Sequence, residues 1–472
     1  MIRYCSSVRI LNLFACCVML FGALTVSAGE SPKPRNVILI IGDGMDDHQL
    51  TIARNYLKGP EGKLVLDRMP MRGVAQILTV TDEKSPRPVF VADSANTATS
   101  MATGVVTSRA RIATTAGDGK PIKSIIDEAE AAGLRTGLVT TSSVTDATPA
   151  AFVAKINFRL CENPTLMEAV EFYGIRLGDC QQHMKANGGL GSIAEQIAES
   201  QVDVVLGGGS EHFDHATENG LSSVSELAAS NGFQLVTSAE ELATASLEQP
   251  LLGLFSPGTM PVRLQGEDGR EAESPSPSLL NRIHHLLGDV TLPEPMECVP
   301  NPEFASVPSL NTMTRRAISQ LSHNNARGFF LMIESASIDK QSHERKPCGS
   351  IGEVQQLEEA LQTALDYAEQ QAHTLIIVTA DHSQAAQLVS FESMFSDYPI
   401  AAHTPGKLAR IRTPAGHYLA VNYATTNFFM AEHTGANVPL FANTPGKQRI
   451  PGYIQQPQIH QIVRDYLALP AN

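Results

Sequence analysis

Basic residues are scarce in this 472-residue chain. It contains 35 lysines and arginines against 49 aspartates and glutamates, which gives a formal net charge of −14 at pH 7. A surface of that sign disfavours nucleic acid as a partner, because the phosphate backbone attracts lysine and arginine. Any anionic ligand would need positive charge supplied locally, as bound metal ions can supply it. Internal repeats are also absent from the sequence.

Only one apolar stretch approaches membrane-spanning length, and it covers residues 10–26. Arg3 and Arg9 precede it, and the small residues Ser27 and Ala28 follow it, as signal peptidase requires. We interpret residues 1–28 as a cleaved secretory signal, which predicts a periplasmic or secreted protein whose residues 29–472 form a single domain. The alternative is a retained membrane anchor, because the stretch is nearly long enough to span a bilayer.

Cysteine is rare, and no CxxC pair occurs. Three of the seven cysteines lie in the predicted signal, which leaves Cys161, Cys180, Cys298 and Cys348. Without CxxC spacing a four-thiolate zinc site is disfavoured, and an even number of cysteines in an exported chain predicts two disulfides. Three pairings are possible, and joining Cys161 to Cys180 and Cys298 to Cys348 closes the shortest loops.

Apolar runs of strand length alternate with helical stretches, which predicts an α/β fold with a large, mostly parallel central sheet and helices on both faces. Helices are expected over 122–132 and 353–372, and a surface excursion over 265–295 with one short helix at 279–287. Four apolar runs, at 37–41, 136–141, 329–333 and 375–378, lead into an acidic residue. Those residues are Asp43, Asp146, Glu334 and Asp381.

In open α/β sheets, ligands bind at the carboxyl ends of the strands, so these four acidic residues indicate one shared site. A single one of them would more simply be a turn residue. Ser94 begins a run of small residues, 94–104, that predicts a close-packed helix, and a hydroxyl at a helix start beside a metal can act as a nucleophile. The alternative is that Ser94 or Asp93 only caps the helix.

Metal-ligand types concentrate in the segment 334–343. Asp339 and His343 are four residues apart, so on a helix they face the same side and can bind one zinc ion. His382 follows a predicted buried strand, and His433 lies in a later EHTG segment. Each histidine taken alone is more commonly not a ligand.

Six of these segments, in order, resemble the motif set of bacterial alkaline phosphatases. They are residues 43–45, 93–95, 145–150, 334–343, 379–382 and 432–435. The resemblance implies a metal-dependent hydrolase of phosphate monoesters with a broad substrate range, used in phosphate scavenging. It also implies a phosphoserine intermediate on Ser94, a homodimer, and two zinc ions and one magnesium ion per subunit.

The resemblance further implies a role for each site residue. One zinc ion would be bound by Asp339, His343 and His433, and the second by Asp43, Asp381 and His382. Asp43, Thr148 and Glu334 would bind magnesium, with Asp146 reaching it through water. Arg159, thirteen residues after Asp146, would bind the phosphate, and Lys340 would contact it through water.

Four residues depart from the usual family pattern without replacing a ligand: Asp47, His48, Ser342 and Gln384.

Two alternative functions remain open. A phosphodiesterase or sulfatase of the same superfamily would use a similar scaffold, but sulfatases need a modified cysteine or serine in another motif. A metal- or phosphate-binding protein without catalysis would lack Ser94 or a ligand, and none is missing.

Overall fold

The computed structural model describes residues 34–391, 397–398 and 403–470. The predicted signal, residues 1–28, lies outside the described residues. Within the part of the chain that is described, no helix is both long and apolar enough to cross a membrane.

Strands alternate with helices along the chain. The strands are β1 (Asn36–Gly42), β2 (Met71–Gln76), β3 (Thr79–Val80), β4 (Pro88–Val89), β5 (Arg135–Ser143), β6 (Val170–Phe172), β7 (Ile175–Gly178), β8 (Val204–Gly208), β9 (Gln234–Val236), β10 (Leu251–Leu254), β11 (Leu264–Gly266), β12 (Ser276–Pro277), β13 (Val290–Thr291), β14 (Met296–Pro300), β15 (Phe329–Ser335), β16 (Thr374–Ala380), β17 (Ala386–Val389), β18 (Lys407–Arg412), β19 (Tyr418–Tyr423), β20 (Val438–Ala442) and β21 (Tyr453–Gln455).

The α-helices are α1 (Asp47–Lys58), α2 (Ser94–Thr103), α3 (Ile125–Ala131), α4 (Ala147–Val153), α5 (Ile193–Ala198), α6 (Ser210–Phe213), α7 (Val224–Ser230), α8 (Ala239–Thr244), α9 (Leu279–Ile283), α10 (Leu310–Ser322), α11 (Ser337–His343), α12 (Pro347–Gln370), α13 (Thr444–Lys447) and α14 (Gln458–Leu467).

A ten-stranded sheet forms the centre, in the order β21-β2-β20-β16-β1-β15-β5-β8-β10-β9. Only β20 runs antiparallel to its neighbours, β16 and β2. Strands β1, β15 and β16 are completely buried, as their continuous apolar sequences predict. Helices cover both faces of this sheet, and the predicted α/β fold with a mostly parallel sheet is confirmed.

The predicted helix boundaries need correction. The helix expected over 122–132 begins at Ile125, because Ser124 caps it and accepts a hydrogen bond from the Asp127 backbone N–H. The helix expected over 353–372 begins six residues earlier, at Pro347, where proline suits the first helical turn. In the excursion, α9 ends at Ile283 and the strand pair β12 and β13 flanks it, which the sequence did not predict.

Both predicted disulfides are present. Cys161 bonds to Cys180, and Cys298 to Cys348. The first closes a loop that contains the β6–β7 hairpin. The second ties β14, in a separate five-stranded sheet, to the first turn of α12.

Candidate active site

The four acidic residues predicted to share a site follow neighbouring strands. In the sheet order β16-β1-β15-β5, Asp381 follows β16, Asp43 follows β1, Glu334 lies near the end of β15, and Asp146 follows β5. The register aligns Gly42 with both Ser335 and Ala380, so the strand ends are level. The parallel topology therefore brings side chains from distant parts of the sequence to one edge.

Ser94 is the first residue of α2, and its hydroxyl points into this site. Asp93 caps the helix through a capping box with Asn96, so the capping role falls to Asp93. The buried Ser94 Oγ lies 3.1 Å from His382 Nε2 and 3.5 Å from Asp43 Oδ2. The Ser94 hydroxyl is thus held at a positive helix end, among side chains of the types that can bind a metal ion.

Asp43 carries a buried oxygen, Oδ1, that accepts no hydrogen bond from the described residues. Burial, reinforced by the nearby carboxylate of Asp381, raises the pKa of Asp43 well above its usual value. The next residue, Gly44, has φ +66°, and a Cβ there would come within 2.9 Å of Gln384 Cγ and 3.1 Å of the Asp339 Cα. Glycine is therefore required for this close approach.

Two histidines face each other across the site. His343 Nδ1 donates to the Ala431 carbonyl (2.5 Å) and His433 Nδ1 donates to the Ala92 carbonyl (2.9 Å), so each directs its Nε2 inward. The two Nε2 atoms are 2.9 Å apart. Because each Nδ1 donates to a backbone carbonyl, each Nε2 is the nitrogen left to bind a metal ion or a proton.

Asp339 completes this group. Its carboxylate oxygens lie 3.3 Å from both His343 Nε2 and His433 Nε2. Burial alone would raise the pKa of Asp339, but His343 and His433 outweigh it and hold the pKa well below its usual value. Burial opposes the charge of His433, yet Asp339 raises the pKa of His433 to about 9. Two imidazole nitrogens and a carboxylate within 4.8 Å of one another fit zinc.

A second group of possible ligands joins Asp43, Asp339 and His382. His382 Nε2 lies 3.4 Å from Asp43 Oδ1 and 3.3 Å from Asp381 Oδ2, so Asp381, the expected third ligand, also faces this ring. Asp381 Oδ1 accepts hydrogen bonds from the backbone N–H groups of Gly44 and His382. Asp43 Oδ1, which accepts no hydrogen bond from the described residues, lies within this group and fits a bound cation.

Glu334 and Thr148 lie beside these groups, and both are buried. Glu334 Oε2 accepts hydrogen bonds from Thr140 Oγ1 (2.5 Å) and Ser142 Oγ (3.4 Å). Burial raises the pKa of Glu334 to about 7, which Thr140 and then Thr148 partly counteract. Carboxylate and hydroxyl oxygens are the ligand type that magnesium prefers.

Positive charge enters the site from Arg159 and Lys340. Asp146 lies between them: Arg159 Nη2 donates to Asp146 Oδ1 (2.7 Å), and Lys340 Nζ donates to Asp146 Oδ2. Burial would raise the pKa of Asp146, but Lys340 and Arg159 outweigh it and lower the pKa. Arg159 Nη1 also lies 3.5 Å from Asp93 Oδ2, which links it to the cap of the Ser94 helix.

A cavity of about 410 Å³ opens over these groups. The predicted residues that line it are Asp43, Ser94, Arg159, Asp339, Lys340, His343 and His433. Asp381, His382, Glu334 and Thr148 are buried behind it, and Asp146 contacts both Arg159 and Lys340. The predicted catalytic, phosphate-binding and metal-binding residues are thus brought together at the same edge of the sheet.

Three further residues support the site and were not predicted to do so. Asp46 caps α1 and accepts a hydrogen bond from Ser383 Oγ (2.7 Å), next to His382. Gln384, noted above only as a departure, donates from Nε2 to Asp339 Oδ1 (2.5 Å). Arg345, two residues after His343, is buried and donates to the carbonyl oxygens of Phe428 and Phe429. Nothing in its local sequence indicates these contacts.

Comparison with known proteins agrees with this geometry. A family model described as alkaline phosphatase matches residues 34–427. The chain is 36% identical to the alkaline phosphatase of Escherichia coli K12, over 95% of this chain and 88% of that protein. It is 37% identical to the streptomycin-6-phosphate phosphatase of Streptomyces griseus, over 91% and 90%.

A solved structure of similar fold is the alkaline phosphatase from the Antarctic bacterium TAB5. Its TM-score is 0.64 at 22% identity, and the match covers 93% of this chain and 100% of that one. The family-model match covers most of the chain, and several relatives of similar length exceed 30% identity. The chain therefore belongs to the alkaline phosphatase family, whose members are metal-dependent hydrolases of phosphate monoesters.

Proposed function

We propose that this chain hydrolyses phosphate monoesters by transferring the phosphoryl group to Ser94 and then to water. The observation that carries the proposal is the position of Ser94 Oγ, buried at the start of α2 and 3.1 Å from His382 Nε2 in the cavity lined by Arg159 and Lys340. A hydroxyl in that position can reach a phosphorus atom whose oxygens are bound by the two cationic side chains.

In the first displacement, Ser94 Oγ forms a bond to phosphorus as the ester P–O bond breaks, and the alcohol leaves with a proton. In the second, a water oxygen attacks phosphorus, the bond to Ser94 Oγ breaks, and the hydroxyl regains its proton. Arg159, oriented by Asp146, is positioned to bind two phosphate oxygens, and Lys340 adds charge beside it. The two displacements together return Ser94 to its starting state.

For the metals we propose two zinc ions and one magnesium ion per subunit. Asp339, His343 and His433 would hold one zinc ion, and Asp43, Asp381 and His382 the other. Asp43, Thr148 and Glu334 would hold magnesium, with Asp146 reaching it through water. When bound, such ions lower the pKa of a hydroxyl or water and stabilise the attacking and leaving oxygens of an in-line displacement.

The location, domain organisation, oligomeric state and substrate range are also proposals. Residues 1–28 would direct the protein to the periplasm or the exterior, the remaining chain would act as one domain, and the active form would be a homodimer. A phosphodiesterase or a sulfatase is less well supported, because Arg159 and the magnesium-type ligands are all present in the site. A broad substrate range follows if the leaving oxygen is stabilised by metal and the rest of the alcohol makes few contacts.

The test is hydrolysis of p-nitrophenyl phosphate by the wild type and by Ser94→Ala, with and without chelator and with zinc and magnesium restored. Wild-type activity should disappear with chelator and return only with both metals. Ser94→Ala should keep its metal content and stability, because Asp93 caps the helix, while losing nearly all turnover. An inactive wild type of full metal content would refute the proposal, and so would an active Ser94→Ala.

A further inference from the structure

Four exposed aromatic side chains cluster at the mouth of the candidate active site. Phe172, Tyr173, Phe428 and Phe429, here called the aromatic platform, are 46%, 90%, 61% and 61% exposed. Phe172 and Phe429 stack with centroids 6.3 Å apart, Phe172 meets Tyr173 at 4.6 Å, and Phe428 meets Phe429 at 4.4 Å. Exposed apolar side chains gathered in one patch mark an interaction surface, and a ligand-binding groove is one kind of such a surface.

The platform is continuous with the catalytic cavity. Phe429 lines the same 410 Å³ cavity as Ser94 and Arg159. An in-line displacement places the leaving group opposite the nucleophile. With the nucleophile at the base of the cavity, the organic part of an ester points away from Ser94 and toward the mouth, where Phe429 and its neighbours lie.

A buried arginine fixes one half of the platform. Arg345, only 2% exposed, donates to the carbonyl oxygens of Phe428 (2.8 Å), Phe429 (2.8 Å) and Thr426 (3.2 Å). Just beyond them, the Ala431 N–H donates to the His343 carbonyl (2.9 Å). The segment that carries these rings is therefore bound to the metal-ligand segment, and little entropy is lost when a ligand stacks on it.

A hairpin fixes the other half. Strands β6 and β7 are joined by Tyr173 and Gly174, both with positive φ (49° and 74°), as in a two-residue hairpin turn. The hairpin lies within the loop closed by the Cys161–Cys180 disulfide. The phosphate-binding residue Arg159 lies only two positions before Cys161, so the disulfide loop that presents Phe172 and Tyr173 begins beside the phosphate site.

We infer that the aromatic platform binds the leaving group of the substrate and favours phosphate monoesters of flat aromatic alcohols over those of small aliphatic ones. This inference rests on the proposed function and deepens it. The rings supply stacking and apolar contact without a shaped pocket, so they give a preference of about tenfold and leave the substrate range broad.

The test compares two inhibitors that cannot be hydrolysed, phenylphosphonate and methylphosphonate, with inorganic phosphate as the reference. All three are competitive inhibitors measured against p-nitrophenyl phosphate with the full-length, metal-loaded enzyme. Because none has a leaving group, differences in ester reactivity do not enter. In the wild type, phenylphosphonate should bind about tenfold more tightly than methylphosphonate.

Phe429→Ala and Phe172→Ala should each bring that ratio close to one, while the inhibition constant of inorganic phosphate stays as in the wild type. Leu279→Ala is the matched control, since it removes another exposed apolar side chain, in α9, outside the cavity lining. The two phenylalanines come from different segments. If one variant fails to fold, the other therefore still decides the question.

Three results would overturn the inference. One is a wild-type ratio near one, and another is a ratio unchanged in both variants. The third is a change from dimer to monomer, seen by sedimentation, at an unchanged ratio, which would identify the rings as a contact between two copies of the chain. Failure of inorganic phosphate to inhibit the wild type would instead count against the proposed function, so the two failures are distinguishable.

Discussion

The two disulfides should stabilise the protein by different amounts, and the structure gives the expected sizes. Cys161 and Cys180 are 19 residues apart, and Cys298 and Cys348 are 50 apart. Loop closure in the unfolded chain then gives about 3 kcal/mol for the first and about 4 kcal/mol for the second. The longer loop contributes more because closing it removes more unfolded-state entropy.

The comparison is made by reducing one disulfide at a time. In Cys298→Ala/Cys348→Ala, reductant breaks only the shorter loop, and in Cys161→Ala/Cys180→Ala it breaks only the longer one. The sulfur atoms of the pair under test stay in place, so no cavity is created at that site. Equilibrium unfolding in urea, with and without reductant, gives each contribution to the free energy of unfolding.

A variant lacking all four cysteines is the control, and reductant should leave its stability unchanged. Zinc content of the folded protein should be the same before and after reduction, because neither disulfide contributes a proposed metal ligand. Equal contributions from the two loops, or the reverse order, would refute the unfolded-state argument. Loss of zinc on reduction would show that a disulfide holds the metal site together.

Three shorter predictions concern stability and the site. Burial raises the pKa of Glu130 from 4.5 to about 7. The protonated Glu130 therefore contributes to the free energy of unfolding in full below pH 4.5, and this contribution is lost as the pH rises through 7. Glu130→Gln should therefore stabilise the protein at pH 8 by about 1–2 kcal/mol after allowance for partial exposure, and less at pH 5.5. Urea unfolding at both pH values measures the effect, and an equal effect at pH 8 and pH 5.5 would contradict this assignment. Gly44→Ala should cost about 1–3 kcal/mol and lower kcat/KM by displacing Asp339, and unchanged kinetics would contradict this. Chelation should lower the Tm and zinc should restore it, because ligands that bind only the folded state stabilise it; an unchanged Tm would argue against the metal assignment.

Much of the fold and the site could be predicted from sequence, because the apolar runs and the acidic residues that follow them are local signals. The buried strands β1, β5, β15 and β16 are each recognisable from a short window. Parallel pairing then places their carboxyl ends together, whatever the distance along the chain. The six motif segments therefore predicted which residues would meet before any geometry was known.

Other features depend on contacts that no short window reveals. The sequence left open whether Ser94 or Asp93 caps α2, and only the side-chain hydrogen bonds decide for Asp93. Arg345 resembles any other surface arginine until its carbonyl partners, more than 80 residues away, are seen. The aromatic platform likewise joins a hairpin to a segment some 250 residues later, and neither half alone indicates an aromatic cluster.

The charges of the site connect its chemistry to its stability. Asp43 and Glu334 both have raised pKa values, for which burial is the main cause and neighbouring carboxylates add to it. Arg159 and Lys340 both contact Asp146, and their two positive charges do not balance the larger number of acidic side chains in the site. A cation that binds there relieves this repulsion and must displace protons from the same groups, which couples metal affinity to pH and to folding. The acidic side chains that favour metal binding are thus also the reason that the folded site needs metal ions. The ions also supply the positive charge that phosphate requires in a chain of negative net charge.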